Sequence, residues 1–390
     1  MKKQIYFSKT KLGMVVLLLF LLIPVQQHAQ INEGNIEIGK IIKINSKILN
    51  EDRTIFISLP TGYEQSNEKY PVIYILDGRA NFAFSATIVD FLSRNQRMPR
   101  TIVVAIPNTD RDRDFTPSHI ITSKTSGGAD KFLDFMKEEL MPYIDNNYRT
   151  ESYRTLFGHS LCGMFSIYNL FERPEMFNSF IAVSPYLMYD NNYVVNKIDS
   201  ITGVKQNLKK DLFITLGNEP AYTESFSKLE ELLSKGTENL TWKTSKRESE
   251  NHASVPLKSL YDGLEFIYSS WRLDNETVEQ GLDAIKEHYS KLSDKYGFEV
   301  KPNEIAINLI GYQLLAKNEI EKAIEIFKYN AELFPTSANV YDSLGDSQEK
   351  AGMKDLAAEN YKMAVKLGAE NNDINLEIFK QNLERVQNSK

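Results

Sequence analysis

The chain has 390 residues, 42% of them hydrophobic and 11% aromatic, which is ample material for a large core and excludes a disordered chain. Its formal net charge of −6 argues against nucleic acid or an anionic membrane surface as partner. Cys162 is the only cysteine, so no intrachain disulfide can form and stability must come from the core.

The first segment carries Lys2, Lys3, Lys9 and Lys11, then an apolar run from Leu12 to Val25 broken by Pro24, then Gln27-His28-Ala29. A basic start, a short apolar run and a small residue before a cut make residues 1–29 a secretory signal peptide. The run is short for a membrane span, and no cysteine lies near the cut to carry a lipid. The expectation is export, to periplasm or medium, after cleavage near Ala29 and without a stable membrane anchor. Removing four of the 46 basic residues and no acid leaves 42 against 52 acids, a mature charge of −10.

Ile36-Glu37-Ile38 and Arg53 to Ser58 alternate apolar and polar residues and predict two antiparallel edge strands. Pro60-Thr61-Gly62-Tyr63 turns the chain. Tyr70–Leu76 and Thr101–Ile106 are nearly continuous apolar runs, ending in Asp77-Gly78-Arg79 and Pro107-Asn108. Ala129 to Ile144 places Phe132, Phe135, Met136, Leu140 and Ile144 on one helical face. Further strands are predicted at Tyr153–Phe157, Phe180–Val183, Asp211–Leu216 and Leu240–Thr244. Buried strands alternating with helices predict a mostly parallel, doubly wound α/β sheet, with ligands beyond the C-terminal strand ends. Gly78, Asn108, Ser160, Ser184 and Gly217 all fall there.

The central motif is Gly158-His159-Ser160-Leu161-Cys162-Gly163, between the strand ending at Phe157 and a helix predicted from Leu161 to Phe171 and stopped at Arg173-Pro174. Strand, sharp turn with serine at its apex, then helix is the nucleophile elbow of the α/β-hydrolase fold. The helix N-terminus favours a developing oxyanion. Cys162 occupies the position where the pattern G-x-S-x-G has its last glycine, so the helix–strand approach is expected to loosen slightly.

A nucleophilic serine needs a base, and the base needs an orienting acid. Of five histidines, His28 leaves with the leader and His159 adjoins the serine but points away from it. His119 precedes the nucleophile, against the chain order of this fold, and His288 falls in a linker. His252, in the loop after the last strand, remains. Glu219 in Gly217-Asn218-Glu219 is the candidate acid, with Asp190, Glu248 and Glu250 as competitors. The N–H groups of Leu161 and Arg79 are the candidate oxyanion hole.

Residues 36–272 resemble the esterase D type of bacterial α/β-hydrolases, which includes siderophore, feruloyl and acetyl esterases. The resemblance rests on Tyr70 to Gly78, Asn108 to Arg111, Arg113, Asp114, Thr116-Pro117 and Arg154 to Gly163. It continues through Phe171 to Pro174, Ser184-Pro185, Gly217 to Glu219 and His252. It implies ester hydrolysis through an acyl-enzyme, with Ser160, His252 and Glu219 as triad and Arg111, Arg113 and Asp114 shaping the pocket rim. Asp77, Gly78, Asn108, His159 and Tyr186 complete the candidate substrate contacts. Two segments depart from the family pattern: Cys162 replaces the usual glycine, and Pro185 to Tyr189 fills a stretch where relatives often carry tryptophans.

From about Asp274 the composition becomes charged and helical. Self-comparison at 34 residues pairs Ile307 with Tyr341, Ile310 with Leu344, Gly311 with Gly345, Ala323 with Ala357 and Phe327 with Tyr361, the tetratricopeptide period. Two repeats are fewer than such arrays usually need, so helices at about 276–292 and 373–387 are expected to cap them, unless the module leans on the hydrolase or a second copy. The domain plan is thus a leader at 1–29, an α/β-hydrolase at 30–273, and a small all-α tetratricopeptide-type region at 274–390. The functional reading is an exported serine esterase, with no metal or organic cofactor, acting on a small-molecule or polysaccharide-linked ester. The repeats would serve a protein partner or self-association. The alternatives are an inactive hydrolase-fold binding protein and an acyltransferase using the same serine.

Overall fold

The computed structural model describes residues 37–202 and 206–389, and within them the apolar runs are strands of one sheet. The leader expected over 1–29 lies outside the described residues. The strands are β1 (Lys40–Ser46), β2 (Glu51–Ser58), β3 (Tyr70–Ile75), β4 (Ile102–Ala105), β5 (Thr150–His159), β6 (Ser179–Val183), β7 (Gln206–Gly217) and β8 (Thr237–Arg247). Their spatial order is β1-β2-β4-β3-β5-β6-β7-β8. β1 and β2 form an antiparallel pair, β2 is antiparallel to β4, and every later pairing is parallel.

Successive side chains of a strand point to opposite faces, so a strand buried on both faces must be apolar throughout. In β3, Val72 and Tyr74 belong to one buried cluster, while Ile73 and Ile75 belong to the other. Helices cover both faces: α1 (Gly78–Arg94), α2 (Arg111–Phe115), α3 (Ala129–Phe135), α4 (Met141–Asn147), α5 (Leu161–Glu172), α6 (Tyr189–Thr202), α7 (Thr223–Gly236) and α8 (Val255–Ile267). The helix expected over 129–144 contains a π turn, Met136–Leu140, between α3 and α4. Its predicted apolar face is buried at all five positions.

The helix expected over 276–292 is two helices, α9 (Asn275–Gln280) and α10 (Leu282–Tyr296), because Gly281 between them has φ 100°. Two helical hairpins follow: α11 (Glu304–Ala316) with α12 (Ile320–Leu333), and α13 (Ala338–Lys350) with α14 (Lys354–Glu370). α15 (Leu376–Asn388) closes the series. The two hairpins repeat one contact. A Cβ at Gly311 would lie 2.5 Å from the Phe327 ring, and one at Gly345 would lie 2.6 Å from the Tyr361 ring. Each glycine lets an aromatic ring of its partner helix approach the backbone.

α10 joins the two parts. Leu292 and Tyr296 lie in the buried cluster beneath β5, β6 and α8, whereas Ile285, earlier on the same helix, lies in the cluster of α11 to α13. The Tyr296 ring sits 5.1 Å from Tyr153, 5.2 Å from Tyr268 and 5.6 Å from Trp271. From Ile38 onward the chain is one compact unit.

The Tyr361 hydroxyl lies 2.7 Å from Asp346 Oδ1 and 2.8 Å from Glu349 Oε2 and accepts from Arg385 at 3.2 Å, which holds its ring against retreat from a new methyl group. Gly345→Ala is therefore expected to destabilise by about 1–3 kcal/mol, as overpacking does, despite alanine's better helix propensity. A raised urea midpoint would contradict it.

Burial pushes the Asp342 carboxyl up; the Asn382 amide, 2.9 Å away, opposes this, and the nearby Asp346 charge adds to it, leaving a pKa of about 6 against an ordinary 3.8. The folded state then binds more protons than the unfolded chain between these values, so stability falls as pH rises across that window. Asp342→Asn should flatten this slope and stabilise the protein at pH 7.5 by about 1 kcal/mol, a discounted fraction of the roughly 1.4 kcal/mol per pKa unit. Thermal melts at pH 4, 5, 6 and 7.5 measure both effects.

Candidate active site

The parallel strands end together, and six of them deliver a polar group to one edge of the sheet. Following the strand order, these are Asn108 after β4, Asp77 after β3, Ser160 after β5, Ser184 after β6, Glu219 after β7 and His252 after β8.

Ser160 has φ 60° and ψ −118°, a conformation that costs a non-glycine residue roughly 1–3 kcal/mol. Its neighbours hold it there. The Ser160 N–H donates to the Val183 carbonyl at 2.9 Å, while its own carbonyl accepts from Tyr186 (3.0 Å) and Met164 (3.0 Å). β5 extends to His159, so the whole turn is made at the serine itself. A Cβ at Gly158 would be driven into the Cys162 carbonyl, and one at Gly163 would lie 2.9 Å from the Val183 carbonyl oxygen. The approach of helix to strand is thus tight, contrary to the loosening expected from Cys162. The Cys162 side chain reaches Asp77, and Gly163 supplies the close contact one residue later.

The Cys162 thiol is fully buried and donates to Asp77 Oδ2 at 3.2 Å. Burial, with the Asp77 charge, pushes the thiol well above its ordinary range, so it is neutral. Asp77, at φ 53°, also accepts a two-pronged contact from Arg111, Nε to Oδ1 and Nη2 to Oδ2, both 2.9 Å, and the Asn108 amide. Burial raises the Asp77 carboxyl, but the Arg111 fork, its charge, Asn108 and the thiol together hold it below the ordinary value. Gly78 must lack a side chain, because its Cβ would lie 2.7 Å from the Ile106 carbonyl carbon.

α1 begins at Gly78 and α5 at Leu161. The N–H groups of Arg79 and Leu161 are among the first-turn donors that have no partner within their own helix. Their strands β3 and β5 are hydrogen-bonded neighbours, which sets the two helix N-termini side by side.

His252 Nδ1 is paired with Glu219 Oε1, not with Asp190, Glu248 or Glu250. Glu250 instead binds Lys258 and Ser254, and its carbonyl accepts the Asn218 N–H at 2.7 Å, tying the two loops together. The other Glu219 oxygen accepts from the Ser184 hydroxyl and from the Gly217 N–H at 3.1 Å. The His252 loop is shaped by the Asn251 side chain, which accepts the N–H groups of Ala253 and Ser254, both at 3.0 Å.

Three aromatic side chains surround the His252 ring or its neighbour. His159 lies 4.5 Å from His252, and burial, with His252 beside it, pushes its pKa down to about 4, so it is neutral near pH 7. Tyr222 lies 5.6 Å from His252, and Tyr186 lies 5.8 Å from Tyr222.

Arg113 and Asp114 are placed elsewhere. Arg113 binds Glu51 (2.6 and 3.0 Å) and Asp114 (2.7 Å), and Asp114 binds the fully buried Arg53 at 2.6 Å. This is an internal ion network between β2 and α2, rather than a pocket rim; of the three charged residues, only Arg111 reaches the site. Sequence reasoning left Ser184 without a role and missed Tyr222. The available signal for Ser184 was its position just past the strand between those of Ser160 and Glu219.

A family model described as "Putative esterase" matches residues 46–263. Among characterised relatives, the ferri-bacillibactin esterase BesA of Bacillus subtilis is 31% identical over 197 residues, 43% of this chain and 65% of that protein's length. Among solved structures, the IroE-like serine hydrolase of Shewanella oneidensis is 27% identical with a TM-score of 0.66, covering 76% of this chain and 99% of that one. An uncharacterised protein of Capnocytophaga ochracea shares the fold over 90% of this chain and 99% of its own, with a TM-score of 0.64 at 15% identity. The family match spans more than half of the 390 residues, and the chain belongs to this esterase family.

Proposed function

We propose that this protein is a serine esterase that hydrolyses carboxylic esters through an acyl-enzyme on Ser160. The observation that carries this reading is the His252–Glu219 pair on the sheet edge that also holds the strained Ser160 turn. With Nδ1–H donated to Glu219, the imidazole keeps a lone pair on Nε2 to take the Ser160 proton. The serine oxygen forms a bond to the ester carbon, and the carbonyl electrons move to an oxyanion facing the N–H groups of Leu161 and Arg79. When the C–O bond to the alcohol breaks, His252 returns the proton to the departing oxygen. Water then repeats the cycle on the acyl-enzyme. Ser184 acts as a positioning residue: its hydroxyl keeps the Glu219 carboxylate turned toward His252.

The substrate is proposed to be a small-molecule ester of the siderophore type, on the strength of what the Bacillus relative is named for. Residues 1–29 are proposed to export the chain. Among the described residues, no helix is long and apolar enough to cross a membrane. The region 274–390 is proposed to be a tetratricopeptide-type module attached to the hydrolase domain 30–273, holding a protein partner or a second copy. The 34-residue recurrence of the glycine–aromatic contact supports this reading.

Labelling with a fluorophosphonate, followed by peptide mapping, is expected to give one adduct, on Ser160. Ser160→Ala should abolish it, and His252→Ala should slow it by at least about a thousandfold. Glu219→Gln leaves the ring nitrogen without its anion and should lower turnover by about 10²–10⁴-fold. A folded protein that takes no label would overturn the mechanism and favour the binding-protein alternative.

A further inference from the structure

Tyr222 is a part of the site that the triad does not use. It ends the short 3-10 turn Pro220–Tyr222, whose N–H bonds back to the Glu219 carbonyl at 3.0 Å. One four-residue segment therefore supplies both the carboxylate on Nδ1 of His252 and a phenol whose ring lies 5.6 Å from the imidazole. The phenol also lies beside the nucleophile turn: its ring is 5.8 Å from that of Tyr186, whose N–H donates to the Ser160 carbonyl at 3.0 Å.

The strand order sets the phenol apart from the Arg79 donor. Of the proposed oxyanion donors, Arg79 follows β3, on one side of Ser160, and Leu161 follows the serine itself, whereas Tyr222 follows β7, on the other side, from which His252 also comes. Tyr222 thus lies on the side of the base rather than of the Arg79 donor. Resting on the esterase reading above, we propose that Tyr222 is a catalytic residue that donates a hydrogen bond to the leaving alcohol oxygen as the tetrahedral intermediate collapses. In that step the acyl C–O bond breaks and its electron pair passes to the alcohol oxygen. The proton comes from His252 Nε2, and Tyr222 keeps its own. Burial, with the nearby Glu219 charge, raises the phenol above its ordinary value, so it remains a neutral donor near neutral pH.

A donor at the leaving oxygen matters most when the alcohol is a poor leaving group. Tyr222→Phe keeps the ring packed on His252 and Tyr186 and removes only the hydroxyl. The test compares wild type and Tyr222→Phe on two esters of one acyl group, 4-nitrophenyl butyrate and ethyl butyrate, with fluorophosphonate labelling alongside. The variant is expected to lose about 10–100-fold in kcat/KM on the ethyl ester, the order of one transition-state donor. It should lose less than about threefold on the nitrophenyl ester and still label on Ser160. Equal losses on both esters would move the phenol to Ser160 or the oxyanion, and no loss on either would remove it from the mechanism. Both results overturn the proposal. Wild-type protein that neither labels nor cleaves either ester sinks the esterase reading itself, and the Tyr222 assignment with it.

Discussion

The site depends on one backbone conformation, the positive φ of Ser160. A serine left to itself relaxes out of that region, so the surrounding structure must over-determine it. Three backbone hydrogen bonds do so, to β6, to the segment after β6 and to the first turn of α5. They can form only because Gly158 and Gly163 let the helix backbone close onto the strands. The strain is therefore bound up with the packing of the central sheet through these two glycine positions.

Asp77 presents the opposite problem, a charge brought inside. A buried carboxylate is strongly unfavourable unless paired and hydrogen-bonded in full. Here the Arg111 fork, the Asn108 amide and the Cys162 thiol satisfy both oxygens. Bidentate guanidinium pairing fixes direction as well as charge, so the left-handed Asp77 that caps α1 is held where Arg79 follows. Cysteine at 162 is thus read as a polar neighbour of Asp77 rather than a defect in the elbow.

The strands, the serine turn and the placement of His252 and Glu219 past strand ends were legible because each has a short-range signature: an apolar run, a small-residue turn, or a polar residue just past a strand end. What was not legible depends on spatial neighbours far apart in sequence. Arg113 and Asp114 sit beside Arg111 in the chain, yet they face Glu51 and Arg53 at the start of β2. Adjacent positions on a short helix point in different directions, so one motif divides between a site and an ion network. Tyr222 was missed because an aromatic residue in a loop has no periodicity to single it out. The break at Gly281 was missed because a glycine inside a helical pattern does not announce its φ.

The helical region also follows from packing. Two repeated hairpins bury little by themselves, and stacked repeats draw their stability from the interfaces between neighbours. α10 supplies the missing neighbour on one side. Its Ile285 enters the core of the hairpins, while Leu292 and Tyr296 enter the core of the sheet. The Tyr153, Tyr268, Trp271 and Tyr296 rings meet at 5.1–6.0 Å, and aromatic contacts of this kind add about 0.5–1.5 kcal/mol per pair beyond area burial. A helix committed to both cores cannot move with one and leave the other, so the hairpins are built on the esterase sheet as a continuation of its core.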